Sequence, residues 1–368
     1  MLERFAKYVH KSPVSFEIIL PDGTHRPFGP GQASFTVRIN NNRGLRALSS
    51  FDEGTIGDAY IYGDLDIDGD MLQPFALRQM MGDNHRLVYA WRFIQPLFFG
   101  QIYTNKAAIA AHYDVDPRFF LSFLDADVPC YTQGVFQNEQ ESLKTASLRK
   151  FDYCFDRLQL KPGHHILEIG PGWGAWLEYA SKRGIRCTGI TNSGVSKNYL
   201  DGRAAELKLD WRIIQQDFLQ YSDTLKYDAI VIMGVIEHLP TYEQVTDRFV
   251  KLLKPGGRIF LDASAGTKKY ELSSFMVKHI YPGNHSFLAL DDFVNKLSRT
   301  GLRVDELYND RMSYFYTFRY WALNLERNRI FVAERYGDLK YRSFRLYLWG
   351  AAYEFLSRSL DCYRMIIC

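Results

Sequence analysis

The chain has 368 residues, enough for two domains or one large domain with an appendage. Its apolar share of 46% and aromatic share of 15% are those of a globular protein with large cores, and 24 Tyr and 26 Phe exceed what packing alone asks. A net charge of +3 without a polybasic tail excludes a nucleic-acid arm, and five cysteines without a CxxC pair favour a reducing, cytoplasmic setting.

Met1 to Ser12 is charged and no apolar segment follows, so no targeting signal is expected. Val14 to Leu20 and Ala33 to Ile39 read as strands, the second with Ala33, Phe35, Val37 and Ile39 on one face, and Pro21-Asp22-Gly23 supplies a turn between them. After Gly57 to Asp64, the pattern Asp64, Asp66, Asp68, Gly69 invites a calcium-loop reading. The position that needs a bidentate Glu is Phe75, so a solvated acidic turn and no metal are predicted. Residues 71–100 read as a basic, aromatic helical linker that ends an N-terminal domain (1–100). No stretch reaches the ~18 apolar residues of a spanning helix. Tyr89 to Gly100 comes nearest, but Arg92, Gln95 and Pro96 interrupt it.

The second domain (101–368) opens with a short helix, Ala107 to His112, and the motif His112-Tyr113-Asp114. Tyr131-Thr132-Gln133 precedes a polar helix, Asn138 to Leu158. In His165 to Gly174 an apolar run ends in Glu168 and breaks into a loop with Gly170, Gly172 and Gly174. The helix Ala175 to Arg183 follows, ended by Gly184. Strand, glycine turn and helix bring backbone N–H groups close to a ligand. The spacing is G-x-G-x-G, and the next strand, Arg186 to Ile190, runs into Thr191-Asn192-Ser193 without a carboxylate. Both features disfavour a dinucleotide. Further apolar runs at Arg212 to Gln215, Ala229 to Met233 and Arg258 to Asp262 alternate with helical segments, as a parallel sheet requires. Lys254-Pro255-Gly256-Gly257 is a breaker before the last of these. Asp291 to Arg299 reads as a helix and Leu302 to Tyr308 as a strand. The C-terminal third reads as helical, with Tyr341 to Leu356 mixing Arg and aromatics.

Glu168-x-Gly170-x-Gly172-x-Gly174 resembles the S-adenosylmethionine loop of class I methyltransferases. In order, His112-Tyr113-Asp114, Tyr131-Thr132, the glycine loop, Gly189-Ile190-Thr191-x-Ser193 and Gly234-Val235-Ile236-Glu237-His238 resemble the cyclopropane-fatty-acid synthase family. That resemblance implies an α/β fold, a Rossmann-like, seven-stranded, mostly parallel sheet with helical substrate-cap insertions and a smaller N-terminal α+β domain. It also implies S-adenosylmethionine. Tyr131 and Thr132 would close over its methionine part, Glu168, Gly170, Gly172 and Gly174 would form the loop, Thr191 and Ser193 would approach the ribose, and Gln216 and Asp217 the adenine. Thr191 and Ser193 read equally well as a helix N-cap. Where the family has Gln, three positions after that serine, stands Ser196.

The family reaction adds the sulfonium methyl to an alkene, and the resulting carbocation loses a proton. The family holds a bicarbonate base with Cys, Glu, His and Tyr. Glu237 matches the Glu, and Tyr314 the Tyr, with Thr317 and Trp321 following at the family spacing. Gln133 stands at the Cys position and Asp262 at the His position, which puts bicarbonate in doubt. Two carboxylates converging there would repel such an anion, so either Asp262 or Glu237 takes the proton directly, or Asp262 merely ends a strand and binds a neighbouring backbone N–H. His238 reads as a structural hydrogen-bonder. The implied substrate is an unsaturated acyl chain of a membrane lipid, giving a cyclopropane or a methyl- or methylene-branched chain. Methylation of a soluble unsaturated natural product or isoprenoid, and a non-catalytic lipid-binding relative, are the alternatives. Peripheral contact with the inner membrane face is expected, with Tyr89 to Gly100 and Tyr341 to Leu356 as the candidate segments, each of which reads more commonly as a packed core helix. No nucleic acid is expected, and a homodimer is left open.

Overall fold

Alternation of apolar and polar side chains builds the first of two sheets. The computed structural model describes Phe5, Val9 and residues 12–83, 115–239, 241–267, 272–281 and 285–368. In β1 (Phe16–Ile19) and β3 (Phe35–Ile39), Phe16, Ile18, Phe35, Val37 and Ile39 are all buried. The two strands lie side by side in parallel, with the Phe16 and Phe35 rings stacked at 5.1 Å. The turn at Pro21 to Gly23 therefore cannot join them directly. It leads instead into β2 (His25–Phe28), antiparallel to β1. This strand escapes a pattern reading because its first three residues are exposed and Pro27 suits only a sheet edge. Helices α1 (Asn42–Ser50) and α2 (Glu53–Ile61) then lead to β4 (Leu65–Gly69), and the sheet order is β2-β1-β3-β4. The acidic residues here are tied to neighbours: Asp64 accepts from Asn41 and Arg43, and Asp66 from Asn40 and Arg342. Among the described residues no cluster of His, Cys, Asp or Glu could hold a metal ion.

The second sheet has the order β10-β11-β9-β8-β5-β6-β7. Its parallel strands are β5 (His165–Ile169), β6 (Arg186–Thr191), β7 (Trp211–Gln215), β8 (Tyr227–Met233) and β9 (Leu253–Ala265). Ile166, Leu167, Ile230, Val231 and Ile232 are fully buried, as continuous apolar strands covered on both faces should be. The helices of this part are α3 (Pro117–Leu121), α4 (Leu143–Arg157), α5 (Ala175–Ser181), α6 (Gly194–Leu207), α7 (Tyr242–Leu252) and α8 (Leu290–Ser298). The polar segment before β5 becomes helical only at Leu143, where Ser142 caps the chain. Lys254 to Gly257 does not precede β9 but forms a bulge within it, since Tyr227 pairs with Leu253 and Ala229 with Arg258. β10 (Val304–Asn309) forms one edge, and β11 (Asp361–Ile367) inserts antiparallel between β9 and β10.

Helices α9 (Arg311–Arg327), α10 (Arg329–Tyr336) and α11 (Asp338–Leu356) precede β11, with α9 packed on β11, α11 on α2, and α10 on α11. One apolar core runs from Phe16 and Phe35 through Leu48 and Tyr60 to Phe318, Trp321, Phe344 and Tyr347. Tyr341 to Leu356 packs as a core helix. Tyr341, Phe344, Tyr347, Leu348 and Trp349 are buried in that core, and Arg342 and Arg345 donate to the Leu65 and Ile67 carbonyls of β4. No helix among the described residues is long and apolar enough to cross a membrane. The segment Tyr89 to Gly100, the helix at 107–112, the His112 to Asp114 motif and the boundary near residue 100 lie outside the described residues.

Candidate active site

Three glycines shape the loop after β5. Gly170, Gly172 and Gly174 take φ of +68°, +54° and +82°, left-handed conformations that only glycine adopts without strain. A Cβ on Gly170 would lie 2.4 Å from Val235 Cγ2, and one on Gly174 2.7 Å from Leu200 Cδ2. At Gly172 it would meet nothing within 4 Å, because this residue borders a cavity of about 140 Å³. Tyr131, Thr132, Glu168, Gly170, Gly172, Thr191, Ser193 and Gln216 line that cavity. Gly174 supports the loop from behind, at the N-terminus of α5. Asp217 is not on the wall; its carboxylate accepts from the Leu219 N–H and the Asn192 amide. Ser193 both lines the cavity and caps α6, accepting from Ser196 N–H at 3.0 Å. The Ser196 hydroxyl donates to the Gly172 carbonyl at 2.8 Å, so this departure from the family pattern ties α6 to the glycine loop.

Glu168 is only 3% exposed, and its Oε2 has no hydrogen-bond partner among the described residues. Burial pushes its carboxyl up to about 8, against the pull of the Lys150 charge. A buried, incompletely satisfied carboxylate at a cavity wall fits a ligand that carries positive charge. S-adenosylmethionine, with an ammonium and a sulfonium, is such a ligand, and the open cradle over Gly172 gives it room.

A second cavity of about 720 Å³ adjoins the first. Tyr131, Gly234 and His238 line both. Near this junction the larger cavity is walled by Glu237, Tyr281, His285, Tyr314, Trp321 and Tyr347, and its far part by Phe35, Val37, Leu48 and Ile67 of the N-terminal sheet and helices. Glu237 sits on a single 3₁₀ turn, Ile236–His238, past the carboxyl end of β8, where parallel sheets bind ligands. Ser264 donates to its Oε1 twice, from N–H and from Oγ, each at 2.8 Å. Its Oε2 has no partner among the described residues. Burial pushes this carboxyl up to about 7, opposed by its own backbone N–H and by Ser264. Burial drives the His238 imidazole down to about 4, so it stays neutral; it is a wall of both cavities, beyond the structural role expected. Tyr314, on α9, faces the larger cavity with its hydroxyl held protonated by burial.

Asp262 and Gln133 are placed differently from expectation. Both are completely buried, and neither lines either of these two cavities. The Asp262 Oδ2 accepts from Lys150 Nζ at 3.0 Å, and Lys150, 0% exposed on α4, also donates to Thr132 Oγ1 and approaches Cys130 Sγ at 3.6 Å. Burial alone would lower the Lys150 ammonium, but the charge of Asp262 raises it above the usual lysine value, so the lysine stays charged. The two carboxylates therefore do not converge on one site: Asp262 is neutralised behind the wall and Glu237 alone reaches the junction. Both polar atoms of the Gln133 amide are without a partner among the described residues. Lys150 was missed in the sequence, although it stands on the apolar stripe Ala146, Ser147, Lys150, Phe151, Cys154, where a charge demands a counter-ion. Lys150→Met should leave Asp262 uncompensated and cost about 3–5 kcal/mol of stability, whereas Lys150→Met with Asp262→Leu should recover most of it. Denaturant titration of the three proteins checks this, and a single variant as stable as the parent contradicts it.

The family model described as mycolic acid cyclopropane synthetase matches residues 101–365, well over half of the chain. The chain belongs to this family. Its class is S-adenosylmethionine-dependent methyltransferase. The chain is similar to the sphingolipid C9-methyltransferase of Komagataella phaffii, with 25% identity over 85% of this chain and 69% of that protein. The cyclopropane-fatty-acyl-phospholipid synthase of Escherichia coli is 26% identical over 91% of this chain and 88% of its own length. Among solved structures, a cyclopropane synthase from Mycobacterium tuberculosis superposes with a TM-score of 0.66 over 71% of this chain and 97% of its own, at 24% identity, and shows the shared fold. In this cyclopropane synthetase family member the antiparallel β11 completes the sheet of that fold.

Proposed function

We propose that this methyltransferase adds a methyl group to a carbon–carbon double bond in an unsaturated acyl chain of a membrane phospholipid. The observation that carries the reading is the meeting of two cavities at Tyr131, Gly234 and His238, the smaller behind the glycine loop, the larger and mostly apolar one reaching the N-terminal sheet. Residues 1–100 then act as an accessory domain that houses the far part of the chain. The protein works at the cytoplasmic membrane surface without crossing it.

S-adenosylmethionine, held by Glu168, Gly170, Gly172, Ser193 and their neighbours, supplies an electrophilic methyl group. Everything else falls to the chain. An alkene is a poor nucleophile, so the walls must fix it in line and keep water out. Methyl addition leaves a carbocation on the acyl chain. The Glu237 carboxylate and the faces of Tyr314 and Trp321 stabilise that charge. Loss of a proton from the new methyl closes a cyclopropane, and loss from a flanking carbon gives a methyl- or methylene-branched chain.

Bicarbonate is not required in this reading. Two of the four side chains that hold it in the family are replaced, and Asp262 is already committed to Lys150. Purified protein, mixed vesicles of monounsaturated phospholipid and unsaturated sphingolipid, and methyl-labelled S-adenosylmethionine test both points. Label should enter the acyl chains at an equal rate in degassed, bicarbonate-free buffer. A strict bicarbonate requirement contradicts the second point; label entering only unsaturated sphingolipid, or no lipid, contradicts the first.

A further inference from the structure

We propose that His285 is the base that ends the reaction, taking the proton from the methylated carbocation. The inference rests on the alkene-methylation reading above and names a group that the family's ion-holding set, as matched here to Gln133, Glu237, Asp262 and Tyr314, does not contain.

His285 lines the larger cavity beside the junction. Its ring stacks on Tyr281 with centroids 4.2 Å apart and planes 10° from parallel, and it meets His238 edge-on at 4.9 Å. The backbone that carries it is fastened to the reacting centre. Ser286 donates to the Glu237 carbonyl from N–H at 2.8 Å and from Oγ at 3.1 Å, and Leu288 N–H donates to the Ser264 carbonyl at 2.9 Å. The imidazole is thus held on two sides and carried by the same backbone network that places the Glu237 carboxylate.

The other groups on this part of the wall suit proton removal less well. Burial makes the neutral His238 ring a weak base. The Tyr314 and Tyr347 hydroxyls are held protonated, and Tyr347 shares a hydrogen bond with Tyr281. Asp262 lies behind the wall, paired to Lys150. Glu237 remains, yet taking the proton would erase the negative charge that stabilises the cation. With His285 as acceptor, that carboxylate persists and stabilises the imidazolium as well.

The alkene π pair forms the bond to the incoming methyl carbon, and the former sulfur–methyl pair leaves with sulfur as a neutral thioether. The neighbouring alkene carbon becomes the cation. A ring nitrogen of His285 takes H⁺ from the new methyl, whose C–H pair closes the three-membered ring, or from a flanking CH₂, whose C–H pair becomes a double bond. The imidazolium then releases its proton to water.

His285→Ala and His285→Gln test the assignment on the full chain with monounsaturated phospholipid vesicles. Turnover should fall by ~10²-fold or more in both, with affinity for S-adenosylhomocysteine by calorimetry and the melting temperature unchanged. Free imidazole should restore part of the rate in His285→Ala, where it has room, and not in His285→Gln. Products carrying both the methyl group and a water-derived hydroxyl should rise relative to proton-loss products, because a cation without its base is open to capture by water. Turnover within threefold of the parent, loss without imidazole rescue, or loss that tracks weakened cofactor binding each overturns the assignment. A parent enzyme that methylates no lipid sinks the reaction reading instead, before either variant is compared.

Discussion

Gly172→Val is expected to abolish measurable S-adenosylmethionine binding, while Gly163→Val leaves it unchanged. Both glycines are left-handed, at φ +54° and +90°, and a Cβ on either meets no protein atom within 4 Å. Each substitution therefore carries a similar backbone penalty, about 1–2 kcal/mol. They differ in what lies in the open space. Gly163 sits in a surface turn before β5, whereas Gly172 borders the small cavity behind the glycine loop. A valine there would occupy the ligand's volume in a site that has none to spare. Calorimetry with both variants separates lost space from strain. Equal affinities in Gly172→Val and the parent would place the cofactor elsewhere.

Glu237→Gln should lower turnover by ~10²–10³-fold while cofactor affinity stays within a few-fold of the parent. The amide oxygen can still accept both hydrogen bonds from Ser264, so the change removes charge more than shape. Because burial pushes this carboxyl up to about 7, the charged form is the minority below that pH. Turnover of the parent should accordingly climb as pH rises from about 6 to about 8 and then level. The variant should lack the climb that the Glu237 ionisation supplies. A Glu237→Gln enzyme with the parent's rate would remove the carboxylate from the mechanism, and an unchanged pH profile would remove its ionisation.

Much of the parallel sheet was legible because each buried strand is a short apolar run between helical segments, as in Ala229 to Met233. The glycine loop was legible for a different reason: left-handed backbone at alternate positions leaves glycine at alternate positions. Three strands were not found: β4 hides its buried Leu65 and Ile67 between aspartates that read as a solvated turn. β2 is a polar edge whose exposed His25, Arg26 and Pro27 carry no alternation, and β11 follows a long aromatic helix that masks the change of period. At the site, Glu237 could be read from its place at a strand end. The Lys150–Asp262 pair could not, because 112 residues separate partners that only the packing of α4 against the sheet brings together. His285 gave no signal either. A lone histidine in a loop acquires meaning only when Tyr281, His238 and the Glu237 carbonyl are seen around it.

On the proposed function, one chain holds a methyl donor against a lipid double bond. Mass spectrometry of phospholipids from cells expressing the protein tests it most directly, with Gly172→Val cells as the control. Monounsaturated acyl chains should gain the mass of one CH₂ only in cells with the parent protein, and methyl-labelled methionine should carry its label into that carbon. Acyl chains of identical mass in both cultures, at matched expression of folded protein, would contradict it.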